Sequence, residues 1–446
     1  MMTSMHTRST LHSNLRYLVV GLGLSGYSAA RYLLKHGYCC KVQDSREQPP
    51  YLSQLQQEFP AVEVKLGELS EEMLSGSDCL VVSPGLSVRS ELLQKAADSG
   101  WRIMGDIELF AEAVNRPVLA ITGSNGKSTV TSLLGAMIAA DGKKVGVGGN
   151  IGVPALDLLD EEMEMYVLEL SSFQLETTHS LKPEVACVLN ISEDHMDRYR
   201  NFEDYRDTKK SIYVQALHCL SNQDDPLTFF NESDYRFSIR QAQGADFSVI
   251  QDGEFWLSVQ GEKWLPTSAL KLKGRHNWAN CLAAMGMAHL AGISRAAIVR
   301  VLTSFKGLAH RSEWVAESNG VIWINDSKAT NPGAAQAAIE GIEEPVLLIA
   351  GGQSKGANVK LLCKTLQQHV KKVFLLGQDA EIMQQAWQGC VDIERVADME
   401  QAVQRAAQVA CAGDLVLLSP ACASFDMYSG FRERGEHFCR LVRALL

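Results

Sequence analysis

Residues 118–129, Val-Leu-Ala-Ile-Thr-Gly-Ser-Asn-Gly-Lys-Ser-Thr, constrain this chain more than any other stretch. An apolar run that reads as a strand empties into a glycine turn, and a lysine with two hydroxyls then opens a helix. Such a junction aims successive backbone N–H groups and a helix N-terminus at one point, where Lys127 adds a full positive charge. It is a cradle for phosphate, and the Ser128 hydroxyl is placed to ligate the Mg²⁺ that accompanies a nucleotide. The longer consensus loop has glycine five places before Gly126, where this chain has Ile121; the shortened form is Gly123-x-x-Gly126-Lys127-Ser128. A glycine turn ahead of a helix also occurs as plain structure, and the register of Lys127 and Ser128 is what favours an anion.

A strand, loop and helix of this kind belong in a parallel sheet covered by helices, and the same alternation recurs along the chain, so the fold class is α/β. At 446 residues the length accommodates about three domains of roughly 150 residues each. The expected divisions are 1–105, 106–310 and 311–446. In the first, a strand at 15–20 runs into Gly21-Leu22-Gly23-Leu24-Ser25-Gly26 and a helix to about 36. A strand ending at Asp44 follows, and another at 79–82 precedes Ser83-Pro84-Gly85. The second carries the phosphate loop and strands at 165–170 and 185–191. Residues 223–266 read as short strands with polar turns, a β patch appended to the central sheet. The third has strands at 321–325, 346–350, 373–376 and 415–418.

Several function classes are excluded by composition. A net charge of −10 repels polyphosphate backbones, so nucleic acid is not an expected partner. No apolar run nears the ~20 residues of a membrane span. The first sixteen residues, with Arg8, His12 and Arg16, lack the apolar core of a secretory signal, which predicts a cytoplasmic protein. The chain is expected to act as a monomer on small molecules, without a membrane. Its 11 cysteines contain no C-x-x-C pair and read as reduced, mostly buried thiols without chemistry.

Gly21-x-Gly23-x-x-Gly26 after a strand, with Asp44 ending the next, satisfies the dinucleotide fingerprint and keeps a nicotinamide enzyme open. The more charged phosphate site at Lys127 argues the other way, because hydride transfer has no need of an ATP cradle. Two phosphate sites in consecutive domains suit an enzyme that takes a nucleotide-linked substrate and ATP. Glu169 sits inside an apolar strand, where a carboxylate is costly unless it meets a cation; it is either an acid satisfied by capping and water or a Mg²⁺ ligand. Residues 190–198, Asn-Ile-Ser-Glu-Asp-His-Met-Asp-Arg, gather carboxylates and His195 at a strand's C-terminal end, where open α/β sheets place ligands. Asn277 and Asn280 share one helix face and can read an adenine edge, or serve as an N-cap and a solvated amide. Arg311 falls at a hinge before the third domain, within reach of phosphate oxygens across a cleft. Residues 325–332, 351–355 and 419–426 end three strands of one sheet. They predict a pocket with Lys328, Lys355, Thr330 and Ser424 for a small anionic amino acid.

In this order, and over nearly the whole chain after residue 14, these motifs resemble the Mur ligase family, and within it the branch that adds D-glutamate. The alanine-adding branch carries a histidine in the phosphate loop, and the diaminopimelate-adding branch has an Asp-Asn-Pro-Arg motif absent here. The resemblance implies a three-domain Mur ligase architecture: a Rossmann-like N-terminal domain, a P-loop-type central ATPase domain and a Rossmann-like C-terminal domain. It implies ATP-dependent addition of D-glutamate to UDP-N-acetylmuramoyl-L-alanine through an acyl phosphate, in peptidoglycan precursor synthesis.

The resemblance also assigns residues. UDP lies near Leu24, Ser25, Asp44, Arg46 and Gly85, with Asn150 and His195 toward the sugar-peptide arm. ATP lies among Gly123, Asn125, Gly126, Lys127, Ser128, Thr129, Asn277, Asn280, Arg311, Asp326 and Lys328. Thr330, Lys355, Ser424, Phe425 and Phe431 take D-glutamate. Two Mg²⁺ ions are held by Ser128, Glu169, His195 and a carbamylated Lys209, and Lys127, His195, Lys209 and Glu169 are catalytic. The Lys209-Lys210 doublet leaves the carbamate register open by one, with Ile212 and Tyr213 favouring Lys209. The third domain is expected to close over the second about residues 303–311, and translation to start at Met1 or Met5.

Overall fold

A five-stranded sheet, a nine-stranded sheet and a six-stranded sheet follow one another along the chain in the computed structural model, which describes residues 15–68, 76–196, 198–240, 242–272, 274–342 and 344–445. The start at Met1 or Met5 and Asp197 of the 190–198 motif lie outside the described residues.

The first sheet runs Glu63–Leu66, Cys39–Asp44, Arg16–Val20, Cys79–Val82, Arg102–Met104, all parallel. Chain order reverses between Arg16–Val20 and Cys79–Val82, and a ligand crevice forms outside the strand ends at such a switch point. Gly21, at φ +94°, turns the chain there; a Cβ on Gly26 would collide with the Gly21 carbonyl, whereas one on Gly23 would meet nothing within 4 Å. Gly26 therefore lets the helix Leu24–Lys35 pack onto the turn, and Gly23 leaves the backbone open to an approaching group.

The central sheet runs Val145–Gly149, Met165–Glu169, Val118–Thr122, Val185–Val188, His218–Asn222, Tyr235–Ser238, Phe247–Asp252, Glu254–Val259, Glu262–Pro266. The last two strands add antiparallel; the others are parallel. The expected β patch is thus a continuation of the sheet itself. Val145–Gly149 escapes sequence reading because its three glycines weaken a strand signal. They are required by close approach: a Cβ on Gly146 would press on the Tyr166 ring and one on Gly148 on the Val153 carbonyl.

The third sheet runs Glu313–Ser318, Val321–Asn325, Leu415–Leu418, Val346–Gly351, Val370–Leu376, Asp392–Arg395, with only Glu313–Ser318 antiparallel. The three strands whose ends carry polar motifs are immediate neighbours. One apolar cluster unites the first two domains, joining Tyr17, Val19 and Leu33 to Val118, Leu168 and Val188 through Phe110 of the helix Asp106–Ala113.

The cysteine expectation is corrected. Cys363 and Cys390 form a disulfide, while the other nine are free thiols. Cys363 opens the helix Cys363–His369 and Cys390 follows Ala380–Trp387. Leu366 and Met383 of these helices share one core, which brings the two Cα atoms to 5.4 Å. No helix among the described residues is long and apolar enough to cross a membrane.

Gly26→Ala is expected to destabilise the protein by about 1–3 kcal/mol, as overpacking against backbone does, whereas Gly23→Ala should stay within about 0.5 kcal/mol. Urea denaturation followed by circular dichroism checks both.

Candidate active site

Val118–Thr122 lies between Met165–Glu169 and Val185–Val188, so the three strands deliver Gly123, Glu169 and Asn190 to one edge. Gly126, at φ +83°, forms the N-cap of Lys127–Ala140, and a Cβ there would collide with Asn280 Oδ1. The Asn190 side chain pins the loop from below, accepting from Asn125 N at 2.8 Å and donating to Asn125 O at 3.1 Å. Ser124 Oγ donates to Ser192 O at 2.9 Å and meets Tyr205 Oη at 3.0 Å. Asn190, Ser124 and Tyr205 had no assigned role from sequence, because only their cross-strand partners reveal one.

Lys127 Nζ curls onto its own loop, donating to Gly123 O at 2.7 Å and Ser124 O at 3.0 Å. Burial lowers its pKa, against the charges of Glu169 and Asp194. Lys209, buried at the end of the helix Phe202–Lys210, donates from Nζ to the same Gly123 carbonyl at 3.0 Å and lies 4.7 Å over the Tyr205 ring. Burial and the nearby Lys127 ammonium push Lys209 well below the usual lysine value. Lys210, next along the helix, is half-buried.

Glu169 is 3% exposed. Its Oε1 accepts from Asn150 Nδ2 at 2.8 Å, and Oε2 has no hydrogen-bond partner among the described residues. An orphaned buried carboxylate oxygen is costly, and its charge acts on Lys127, Lys209, Arg311 and Lys328. An unpartnered carboxylate oxygen and the Ser128 hydroxyl in the first turn of Lys127–Ala140 are the hard oxygen donors that Mg²⁺ takes, though no group of three His, Cys, Asp or Glu side chains among the described residues is gathered to hold a metal. His195, at φ +57°, holds Nε2 3.7 Å from Asp194 Oδ2 and packs on Phe173 at 4.7 Å between centroids. Burial lowers its pKa; Asp194 opposes this, and Lys209, Lys127 and Lys355 reinforce it.

A cleft of about 190 Å³ opens beside the loop, lined by Asn125, Thr129, Asn277, Asn280, Arg311, Asp326 and Lys328. Asn280 Nδ2 donates to Asn277 Oδ1 at 3.0 Å. His276, unassigned from sequence, also lines the cleft, and burial lowers its pKa to about 4. Arg311 reaches across from the third domain and donates from Nη2 to Ser128 Oγ at 2.6 Å. Asn331 Nδ2 meets Asp194 Oδ2 at 3.3 Å, a second contact between the central and third domains. Burial raises Asp326 to about 7, though it accepts from Ser312 N at 3.1 Å and Ser419 Oγ at 3.0 Å. Burial, with Arg311 and Lys127, lowers Lys328 to about 8; its ammonium lies 4.4 Å over the Phe431 ring.

Among Lys328, Lys355, Thr330 and Ser424, the residues of the predicted pocket, Lys328, Lys355 and Ser424 line different recesses in this structure. Lys328 lines the cleft. Ser424 is buried in a separate small recess with Asp426 and Arg434. Lys355 is exposed, at φ +52°, 5.2 Å over the exposed Phe425 ring. Thr330 is half-buried, its N–H donating to Lys328 O at 2.8 Å. Next to Lys355, Asp379 Oδ2 accepts from both Ser354 N and Ser354 Oγ at 2.7 Å and fixes the loop. Beneath these loops, buried Arg434 donates to Ser327 Oγ at 3.0 Å, Ser327 O at 2.8 Å and Cys422 O at 3.1 Å, a tie invisible in sequence.

In the first domain Asp44 is fully engaged. Its Oδ2 accepts from Leu22 N at 2.6 Å and its Oδ1 from Arg46 N and Nε at 2.8 Å each. Burial alone would raise Asp44, but Arg46 and the Leu22 amide outweigh it and hold the carboxyl at about 2. Both oxygens are thus occupied, which removes the free ribose acceptor that the dinucleotide reading needs. Leu24 and Gly85 are exposed, and Ser25 is half-buried.

Residues 15–105 match the family model of the Mur ligase MurD-like N-terminal domain, 121–288 that of the Mur ligase middle domain, and 310–422 that of the Mur ligase glutamate ligase domain. The chain belongs to the Mur ligase family. Among Mur ligase relatives, the UDP-N-acetylmuramoylalanine--D-glutamate ligase of Pseudomonas aeruginosa is 48% identical over 437 residues, covering 96% of this chain and 98% of that protein. Its counterpart from Methylococcus capsulatus is 46% identical over 435 residues, covering 96% and 95%. Two solved structures share the fold. The pseudomurein peptide ligase type C of Methanothermus fervidus superposes with a TM-score of 0.64 at 18% identity, over 97% of this chain and all of that one. UDP-N-acetylmuramate-alanine ligase of Thermotoga maritima gives 0.60 at 16%, with the same coverage.

In this Mur ligase, Lys328 is charged below about pH 8 and neutral above it. Calorimetric affinity of the cleft for ADP is expected to fall as pH rises through about 8, and Lys328→Arg, which stays protonated, should remove that fall.

Proposed function

We propose that this protein joins D-glutamate to the L-alanyl carboxylate of UDP-N-acetylmuramoyl-L-alanine at the expense of ATP, as a monomer in cytoplasmic peptidoglycan precursor synthesis. The observation that carries the reading is the 48% identity, over 96% of the chain, to a ligase named for this reaction. In this reading UDP docks at the switch point of the first sheet, beside Leu24, Ser25, Gly85 and the Asp44–Arg46 pair. The sugar-peptide arm runs toward Asn150 and His195. ATP fills the cleft, with its phosphates over Gly123 to Thr129 and its base against Asn277 and Asn280. D-glutamate is taken by Thr330, Lys355, Ser424, Phe425 and Phe431.

The substrate carboxylate attacks the γ-phosphorus, the bond to the β,γ-bridging oxygen breaks, and ADP leaves an acyl phosphate. The D-glutamate amine then attacks the acyl carbon; the tetrahedral oxyanion collapses to an amide, phosphate departs and the amine loses its proton. Lys127 exchanges the Gly123 and Ser124 carbonyls for β- and γ-phosphate oxygens. Arg311 likewise turns from Ser128 Oγ to the transferring phosphoryl group. Ser128, Glu169 and His195 would hold Mg²⁺ ions, which supply charge neutralisation on the triphosphate. Closure of the third domain over the central one, supported by the Asn331–Asp194 contact, would keep water from a hydrolysable acyl phosphate. Lys209 serves as a carbamate: its neutral amine adds to CO₂, an N–C bond forms, and the released proton leaves an anionic oxygen ligand. The burial that lowers its pKa supports this, because only the neutral amine reacts.

ADP release measured against a panel of UDP-muramoyl substrates and amino acids tests the reading. Release is expected only with UDP-N-acetylmuramoyl-L-alanine, D-glutamate and Mg²⁺ together. A nicotinamide-dependent absorbance change without ADP would overturn it. Lys209→Ala should lose activity by about 10²–10³-fold, the scale of losing one preorganised electrostatic group, with partial recovery in acetate or formate. Lys210→Ala should work normally, and the opposite pattern would move the carbamate by one residue.

A further inference from the structure

Arg198 lies three residues beyond His195 and reaches away from it into the first domain. Its backbone N–H closes a turn on His195 O at 3.0 Å. Its guanidinium donates from Nη1 to Pro84 O at 2.9 Å and from Nη2 to Leu86 O at 3.0 Å, the two carbonyls that flank Gly85. Nη2 also donates to Glu176 Oε2 at 2.6 Å. The guanidinium lies 4.0 Å over the Phe173 ring, the same ring that packs on His195. The Arg198 and Glu176 side chains are only 10% and 4% exposed. A planar fork with fixed donors suits two carbonyls and a carboxylate at once, and its burial makes every one of those bonds expensive to leave unmade.

A second arginine runs beside the first. Arg89, just past the same loop, pairs with Asp204 through both terminal nitrogens. It also sits 3.9 Å from Glu176 Oε1 and 5.3 Å from the centroid of Tyr199. Asp204 belongs to the first turn of Phe202–Lys210, the helix that ends in Lys209. The Gly85 loop is therefore strapped to both segments that carry His195 and Lys209.

We propose that Arg198 is a positioning residue for the nucleotide-sugar substrate, holding the Ser83 to Leu86 loop in register with the His195 segment. Arg89, through Asp204, sets the same loop against the Lys209 helix. This rests on the reading above that the Gly85 loop docks UDP. Arg198 touches no substrate; it fixes the distance between the UDP dock in one domain and the phosphoryl transfer site in the next, so that the tethered carboxylate arrives in line.

Arg198→Lys keeps a cation beside Glu176 but cannot span both carbonyls. The KM for UDP-N-acetylmuramoyl-L-alanine is expected to rise about tenfold, the scale of losing a charge-assisted hydrogen bond, with the KM values for ATP and D-glutamate changed less than about twofold. Amide hydrogen exchange at residues 85–88 should accelerate while the melting temperature stays put. A parallel rise in all three KM values, or unchanged exchange and an unchanged nucleotide-sugar KM, would overturn the proposal. If Arg198→Lys melts early, Glu176→Gln, which loosens the guanidinium without emptying its site, is expected to give the same KM split; no split overturns the proposal. Should the wild-type protein show no ligation at all, the functional reading falls alone. The exchange comparison then still decides the clamp, faster exchange supporting it and equal exchange overturning it.

Discussion

Positive charge crowded around one carboxylate oxygen governs the active site. Lys127, Lys209, Arg311 and Lys328 are buried or half-buried near Glu169, whose Oε2 has no partner among the described residues. Two of the lysines bond to the same Gly123 carbonyl. Like charges in a shared dry site depress one another's pKa and leave the assembly short of anions. ATP, which Mur ligases use, brings the negative charge that such a site lacks.

That cluster exists because three parallel edges face inward. Every strand loop assigned to chemistry follows the C-terminal end of a parallel strand, where helix N-termini point at the ligand and backbone amides are free. The helix Asp106–Ala113 and a common apolar cluster lock the first sheet to the second. Arg311 and Asn331 tie the third domain to the loop side of the central sheet by polar contacts. A dry apolar junction suits a permanent register, while a few exchangeable hydrogen bonds suit a domain that must open for product to leave. Arg198 and Arg89 refine the permanent side of this division, and Arg434 does the same within the third domain.

Local chemistry was legible where it is written in consecutive residues. The strand into Gly123-x-x-Gly126-Lys127-Ser128, the turn at Gly21, and the polar ends at Asn325, Gly351 and Ser419 all depend on steric and hydrogen-bonding rules that act over a few positions. Their order along the chain sufficed to indicate the α/β class and the likeness to Mur ligases. Val145–Gly149 was not legible, because its glycines answer to Tyr166 and Val153 rather than to strand propensity. The Cys363–Cys390 pair was missed for a related reason: the spacing between them carries no signal until two helices share a core.

By itself, then, the sequence determined which groups stand at each strand end, since turn geometry, capping and apolar periodicity are short-range. Only the tertiary structure decided what those groups meet. It buried Lys209 rather than Lys210, left Glu169 Oε2 without a hydrogen-bond partner among the described residues, filled both oxygens of Asp44, and set Lys328, Ser424 and Lys355 in different recesses. It also sent Arg198 across to Pro84 and Leu86, more than a hundred residues away. Such partnerships are settled by the packing of whole sheets and helices, because a side chain's burial and its nearest charges depend on elements that have no fixed separation along the chain.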